Sequence, residues 1–143
     1  LEKIIVVPEA IKNIKSHTLG LKAGNFYSLR KLLNAVLICS SNEAAIALAV
    51  FIAGSQEAFA EKMMALARKL GMTKSVFKNP TGLPHPQQVT SAFDMMILAR
   101  SFMKDYPKFY EIMKKDVFIL NKRAFPNSNI FLKREAFSRF VFI

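Results

Sequence analysis

Residues 44–54 read AAIALAVFIAG, a run with no polar side chain on any helical face, and they follow directly on the tetrad Ser40-Ser41-Asn42-Glu43. An amphipathic surface helix would show a polar stripe at 3.6-residue spacing, so an all-round apolar helix has to be buried on most of its faces. Its apolar stretch is too short to cross a bilayer, which takes about 20 such residues. Gly54 closes it with a residue that tolerates left-handed backbone. The rest of the chain is therefore required to pack around this helix.

The tetrad in front of the run has two readings. Ser40 and Glu43 stand at the Ser-x-x-Glu spacing of a capping box, which predicts a helix N-terminus there. Ser40 and Asn42 also form Ser-x-Asn, a hydroxyl and a carboxamide close together on one rigid mount. The readings are compatible but compete for one oxygen, because a hydroxyl that caps a backbone N–H is partly committed to it. If Ser40 is the N-cap, any second role shares that geometry; if Ser41 or Asn42 is the cap, Ser40 is free.

The remaining elements follow from periodicity and punctuation. "EKIIVVP" predicts a β-branched strand ended by Pro8, "PEAIKNIK" a helical turn, and "GLKAGNFYS" a loop with a short extended piece. Leu29, Leu32, Leu33, Val36 and Leu37 recur at helical spacing behind Ser28 as N-cap. Ser55 opens another helix that Gly71 ends, with Phe59, Met63, Leu66, Ala67 and Leu70 as its buried stripe and Lys62, Arg68 and Lys69 outward. "NPTGLPHPQQ" predicts an ordered loop. The next helix is capped by Thr90 or Ser91, carries Asp94 at its positive end and stops at Pro107. "KFYEIMKK" predicts a short helix and "DVFILN" a strand. This is an α+β chain, mostly helical, with too few strands for a closed sheet.

Composition narrows the function classes. The net charge of +11 would draw the chain toward nucleic acid or an anionic surface. The lysines are scattered, Lys114-Lys115 being the clearest pair, and no arginine–aromatic recognition motif occurs, so no nucleic-acid partner is expected. Cys39 is alone, makes no internal disulfide, and with His17 and His85 makes no metal-ligand set. No metal and no cofactor is expected. The first residue is Leu and no secretory signal peptide precedes the first strand.

The segments "LGLKAGNFYSLRKLLNAVLICSSNEAAIALAVFIAGSQEAF", "ARKLGMTKSVFKNPTGLPHP", "TSAFDMMILARSFMKDYPKFYEI" and "FPNSNIFL", taken in order, resemble the D-alanyl-D-alanine carboxypeptidases. These are the low-molecular-mass penicillin-binding proteins of serine peptidase family S11. The resemblance implies a partial fold of the DD-peptidase/β-lactamase type, with the helical part present and most of the main sheet missing. Residues 1–132 are then an incomplete catalytic domain, and residues 133–143 a divergent tail. It also implies a location in the periplasm or on the outer face of the cytoplasmic membrane. Peptidoglycan pentapeptides and β-lactams are the implied partners, with peripheral membrane association in a full-length protein.

The family site has three parts: a Ser-x-x-Lys with the nucleophile and its base, a Ser-x-Asn, and a Lys-Thr-Gly. Only Ser-x-Asn carries over, as Ser40 and Asn42. Lys-Thr-Gly does not occur, and the Thr-Gly of "PTGLP" lacks the lysine. Ser-x-x-Lys occurs at Ser28, Ser75 and Ser101, none placed where the family has its nucleophile. By resemblance Ser40 shuttles a proton to the leaving group, and Asn42 orients the catalytic lysine and the substrate backbone. With no nucleophile, the chain alone is expected to be inactive. The alternative is a non-catalytic basic helical module that binds anionic cell-envelope polymers.

Overall fold

The computed structural model describes residues 1–129 and residue 132, so the divergent tail expected at 133–143 lies outside the described residues. The chain runs β1 (Ile4–Val6), a 3-10 turn (Glu9–Ile11), β2 (Phe26–Ser28), α1 (Leu29–Cys39) and α2 (Asn42–Ala53). It continues with α3 (Gln56–Leu70), α4 (Ala92–Asp105), α5 (Pro107–Met113), β3 (Val117–Leu120) and β4 (Arg123–Pro126). The mostly helical α+β architecture expected from the sequence is present.

Serines set the starts of four helices. The hydroxyls of Ser28, Ser41, Ser55 and Ser91 accept from the backbone N–H groups of Lys31, Ala44, Ala58 and Asp94 at 3.1–3.3 Å. Each satisfies one of the donors that the first helical turn leaves without a partner. Gly54 and Gly71 end α2 and α3 with φ near +84° and +83°, the left-handed backbone that glycine adopts without steric cost.

Helix α2 is central, packed against α1, α3, β1 and the 3-10 turn. Its alanines at 44, 47 and 49 are fully buried and let those neighbours approach closely, while Ile46 and Leu48 fill the space between them. Burying each of these two large side chains contributes about 1.5–3 kcal/mol. The all-round burial expected of this helix holds for its first turns only. Phe51 and Ile52, in its last turn, are 37% and 52% exposed, because no described element covers that end.

Two small antiparallel sheets flank the helices. In the first, β1 pairs with β2 (Ile5 opposite Tyr27), so Ile5 and Tyr27 face the core and Ile4, Val6 and Phe26 face outward. In the second, β3 pairs with β4, and Phe118 and Leu120 face the core against α1. Strand β4 is an addition to the elements expected from the sequence. It exists because Asn121 and Lys122 both take positive φ, the two-residue turn whose twist suits a hairpin. A second departure concerns α3, where Leu66 is 52% exposed and Ala60 is buried in its place. The buried stripe is rotated toward the alanines, which lets α3 lie close to α2.

Candidate functional site

The corner between α1 and α2 is built from a backbone bend. Ser40 ends α1 in the left-handed conformation (φ 55°, ψ 39°), and its N–H bonds back to Ala35 and Val36. A non-glycine residue there carries steric strain of about 1–2 kcal/mol. The bend frees Ser41 to start α2 as its N-cap, with its side chain buried and its Oγ accepting from Ala44 N at 3.3 Å. The capping box expected between Ser40 and Glu43 is therefore absent: the cap sits one residue later, at the middle position of Ser-x-Asn. Ser40 is exposed, and its hydroxyl makes no hydrogen bond among the described residues.

Asn42 is buried and faces the loop that precedes β2. Its backbone N–H donates to the His17 carbonyl at 3.1 Å, and its Nδ2 donates to the Ser16 carbonyl at 2.9 Å and to Ser16 Oγ at 3.3 Å. Glu43, also buried, turns its carboxylate to the same loop and accepts from the N–H groups of Leu19 and Leu21 at 2.8 and 3.2 Å. A carboxylate that accepts backbone N–H bonds makes stronger, charge-assisted contacts than a neutral acceptor. Five hydrogen bonds from two consecutive residues thus fasten residues 16–21 to the start of α2. His17 itself has φ 49°, so left-handed non-glycine residues stand on both chains that meet here. Beside the clamp, Glu43 borders a cavity of about 390 Å³ with Lys12, Leu21 and Lys22.

The structure brings Ser40 and Asn42 to one corner but gives them different surroundings: the serine hydroxyl is open, the carboxamide anchored. No lysine or arginine side chain among the described residues hydrogen-bonds to either. Cys39, next in line, has its thiol pushed up by burial, which favours its neutral form beside the corner. The loop residues Ser16 and His17 and the clamp at Glu43 escaped sequence reasoning. The one legible signal was that Glu43, inside an otherwise apolar run, needed a buried partner.

The three Ser-x-x-Lys serines are engaged elsewhere. Ser28 caps α1. Ser75 is buried and bonds to Asp94 Oδ2 and Thr90 Oγ1, both at 2.7 Å, locking the start of α4 to the loop after α3. Ser101 donates to Asp105 at 2.9 Å on the surface of α4.

The D-alanyl-D-alanine carboxypeptidase family model matches residues 4–139. The Escherichia coli D-alanyl-D-alanine carboxypeptidase DacC is 41% identical over 114 residues, which covers 80% of this chain and 28% of that protein. Penicillin binding protein 6B from Escherichia coli superimposes with a TM-score of 0.84 at 31% identity, covering 94% of this chain and 44% of that one. A D-alanyl-D-alanine carboxypeptidase from Mycobacterium tuberculosis gives the same TM-score at 28% identity, over 94% and 53% of the two chains. The chain thus spans less than a third of the length of DacC and about half that of the solved chains. These similarities give no support to a non-catalytic polymer-binding module.

Proposed function

The chain belongs to the D-alanyl-D-alanine carboxypeptidase family of serine peptidases, and from that premise we propose that its α1–α2 corner is the Ser-x-Asn part of an acyl-transfer site. The observation that carries the proposal is Ser40: a non-glycine residue in left-handed backbone at a helix end, with an exposed hydroxyl that makes no hydrogen bond among the described residues. Strained residues of this kind concentrate where a side chain must be held in one place for function.

The reaction is removal of the terminal D-alanine from a peptidoglycan stem pentapeptide. A serine oxygen attacks the carbonyl of the D-Ala-D-Ala bond, the C–N bond breaks, and D-alanine leaves as the amine while an ester forms on the serine. Water then attacks the ester and releases the shortened peptide. The attacking serine gives its proton to a neighbouring base, and the departing nitrogen needs one: Ser40 Oγ–H supplies it while taking a replacement from that now-protonated base, since a hydroxyl is far too weakly acidic to act alone. Asn42 holds the corner by its amide hydrogens and offers its carbonyl oxygen to an N–H of the substrate or a lysine. β-Lactams fit the same step because attack on their ring carbonyl gives an equivalent acyl ester.

Ser28, Ser75 and Ser101 do not serve as the nucleophile in this reading, because a helix cap, the buried Asp94 carboxylate with the Thr90 hydroxyl, and a surface hydrogen bond occupy them in turn. The chain by itself is then inert. The substrate places its work at the outer side of the cytoplasmic membrane, in the cell envelope. The test is intact-mass spectrometry after incubation with benzylpenicillin. No covalent adduct is expected, and a stable adduct mapped to any of the three serines overturns the assignment.

A further inference from the structure

A groove of about 530 Å³ runs along α3 on the side that meets the proline-rich loop. Its size falls in the range of small-ligand sites, roughly 300–1,000 Å³, and it shares no residue with the α1–α2 corner. Its floor is apolar, made by Ala60, Met64 and Phe77. The charges along its rim are sorted by sign. Glu57 and Glu61 lie at the N-terminal end of α3, and Arg68 lies at the C-terminal end with Lys78 and His85 from the loop. At 1.5 Å per residue, Glu57 and Arg68 are separated by about 16 Å along the helix.

The walls are fixed before any ligand arrives. The Val76–Val89 bridge closes the loop at its base. Asn79 Oδ1 accepts from Thr81 and Gly82 N–H, Gln88 Oε1 accepts from Lys78 and Asn79 N–H, and both amide nitrogens bond to the Leu83 carbonyl. Phe77 N–H meets Met64 Sδ at 3.1 Å and ties the loop wall to the helix floor. His85 accepts at Nδ1 from Gln87 N–H, which leaves the proton of the neutral ring on Nε2 as a donor. Among the described residues, none of Glu57, Glu61, Arg68, Lys78 and His85 forms an ion pair. In a chain with 21 basic and 10 acidic residues, two acids and two permanent cations without ion-pair partners among the described residues stand at opposite ends of one groove, a charge pattern open to a dipolar ligand. Glu57 is hydrogen-bonded only within its own helix start, to its own N–H and to Ser55.

We propose that this groove binds a short, extended, zwitterionic peptide, its ammonium end at Glu57 and Glu61 and its carboxylate end at Arg68, Lys78 and His85. An extended chain advances at most about 3.3–3.6 Å per residue, so the charge separation suits about four to five residues. The small apolar side chains of such a peptide meet Met64 and Phe77. Because the rim charges are solvent-exposed, affinity is modest and falls with salt.

Unblocked tetra-alanine is the probe, followed by backbone amide NMR shifts at low ionic strength. Saturable shifts are expected along α3 and in residues 77–88. N-acetylation or C-terminal amidation should each weaken binding about fivefold to tenfold. Glu61→Gln, with Glu57 still in place, should shrink the penalty of N-acetylation and keep that of amidation, and Arg68→Gln, with Lys78 still in place, should do the reverse. Both residues are exposed, and an unchanged far-ultraviolet spectrum confirms the fold of each variant. Absence of saturable shifts, equal affinity for the blocked and unblocked peptides, or loss of both penalties in either variant overturns the proposal.

Discussion

Replacing Ser40 by glycine should stabilise the chain, and replacing it by alanine should leave stability nearly unchanged. Ser40 holds φ 55° at the end of α1, where a side chain carries about 1–2 kcal/mol of steric cost that glycine lacks. Glycine loses about 0.5–1 kcal/mol through the greater freedom of its unfolded chain. The difference is a gain of about 0.5–1 kcal/mol. Unfolding entropy for 143 residues is about 0.3 kcal/mol per degree, so the melting midpoint should rise by about 2–3 °C. Alanine keeps the strained backbone and removes a hydroxyl that bonds to nothing described, so its midpoint should stay within about 1 °C by the same conversion. Ser41→Ala is the control: it deletes the buried cap of α2 and should cost about 1 kcal/mol. The assay is thermal unfolding followed by circular dichroism, with urea midpoints as a second measure. A destabilising Ser40→Gly, or a Ser40→Ala as damaging as Ser41→Ala, would refute the left-handed bend and restore Ser40 as the cap.

Glu43→Ala should destabilise by about 2–3 kcal/mol, since it strands one buried and one half-buried N–H group, and hydrogen exchange at Leu19 and Leu21 should accelerate while exchange in α4 does not; equal protection in both proteins would contradict the clamp. Cys39, whose thiol is raised by burial, should react with a thiol reagent far more slowly than in urea, with its pH–rate curve displaced to higher pH. The sign follows from a neutral form favoured on folding: its contribution to stability is present below the unfolded-state value and is lost as pH rises toward the folded one. A labelling rate equal in native and unfolded chains would show that Cys39 is open to solvent.

Most elements were legible because punctuation and periodicity agreed. Ser28, Ser55 and Gly71 each stood at the edge of a helical stripe, and each performs the predicted task. The corner was legible in its residue types but not in its register. Two adjacent serines offered two caps, and local spacing could not say that Ser40 would turn left-handed so that Ser41 could cap. The decision is tertiary: Asn42 and Glu43 must both reach residues 16–21, contacts that span more than twenty positions of sequence. Leu66 was misplaced for a related reason, because a stripe read from large side chains ignores the small Ala60 that permits close helix packing. Strand β4 was hidden by "NKRAF", whose charged residues mask a hairpin visible only once Asn121 and Lys122 are known to take positive φ.

The central claim is that Ser40 and Asn42 work as a Ser-x-Asn pair in acyl transfer. Its most direct test grafts the 114 residues of this chain that match Escherichia coli DacC in place of that segment of DacC and measures D-alanine released from a pentapeptide. The graft should be active. Within it, Ser40→Ala should lower turnover by about 10²–10⁴, the range for a lost proton-transfer group, with the melting midpoint unchanged. An active graft in which Ser40→Ala turns over as fast as its parent would contradict the account.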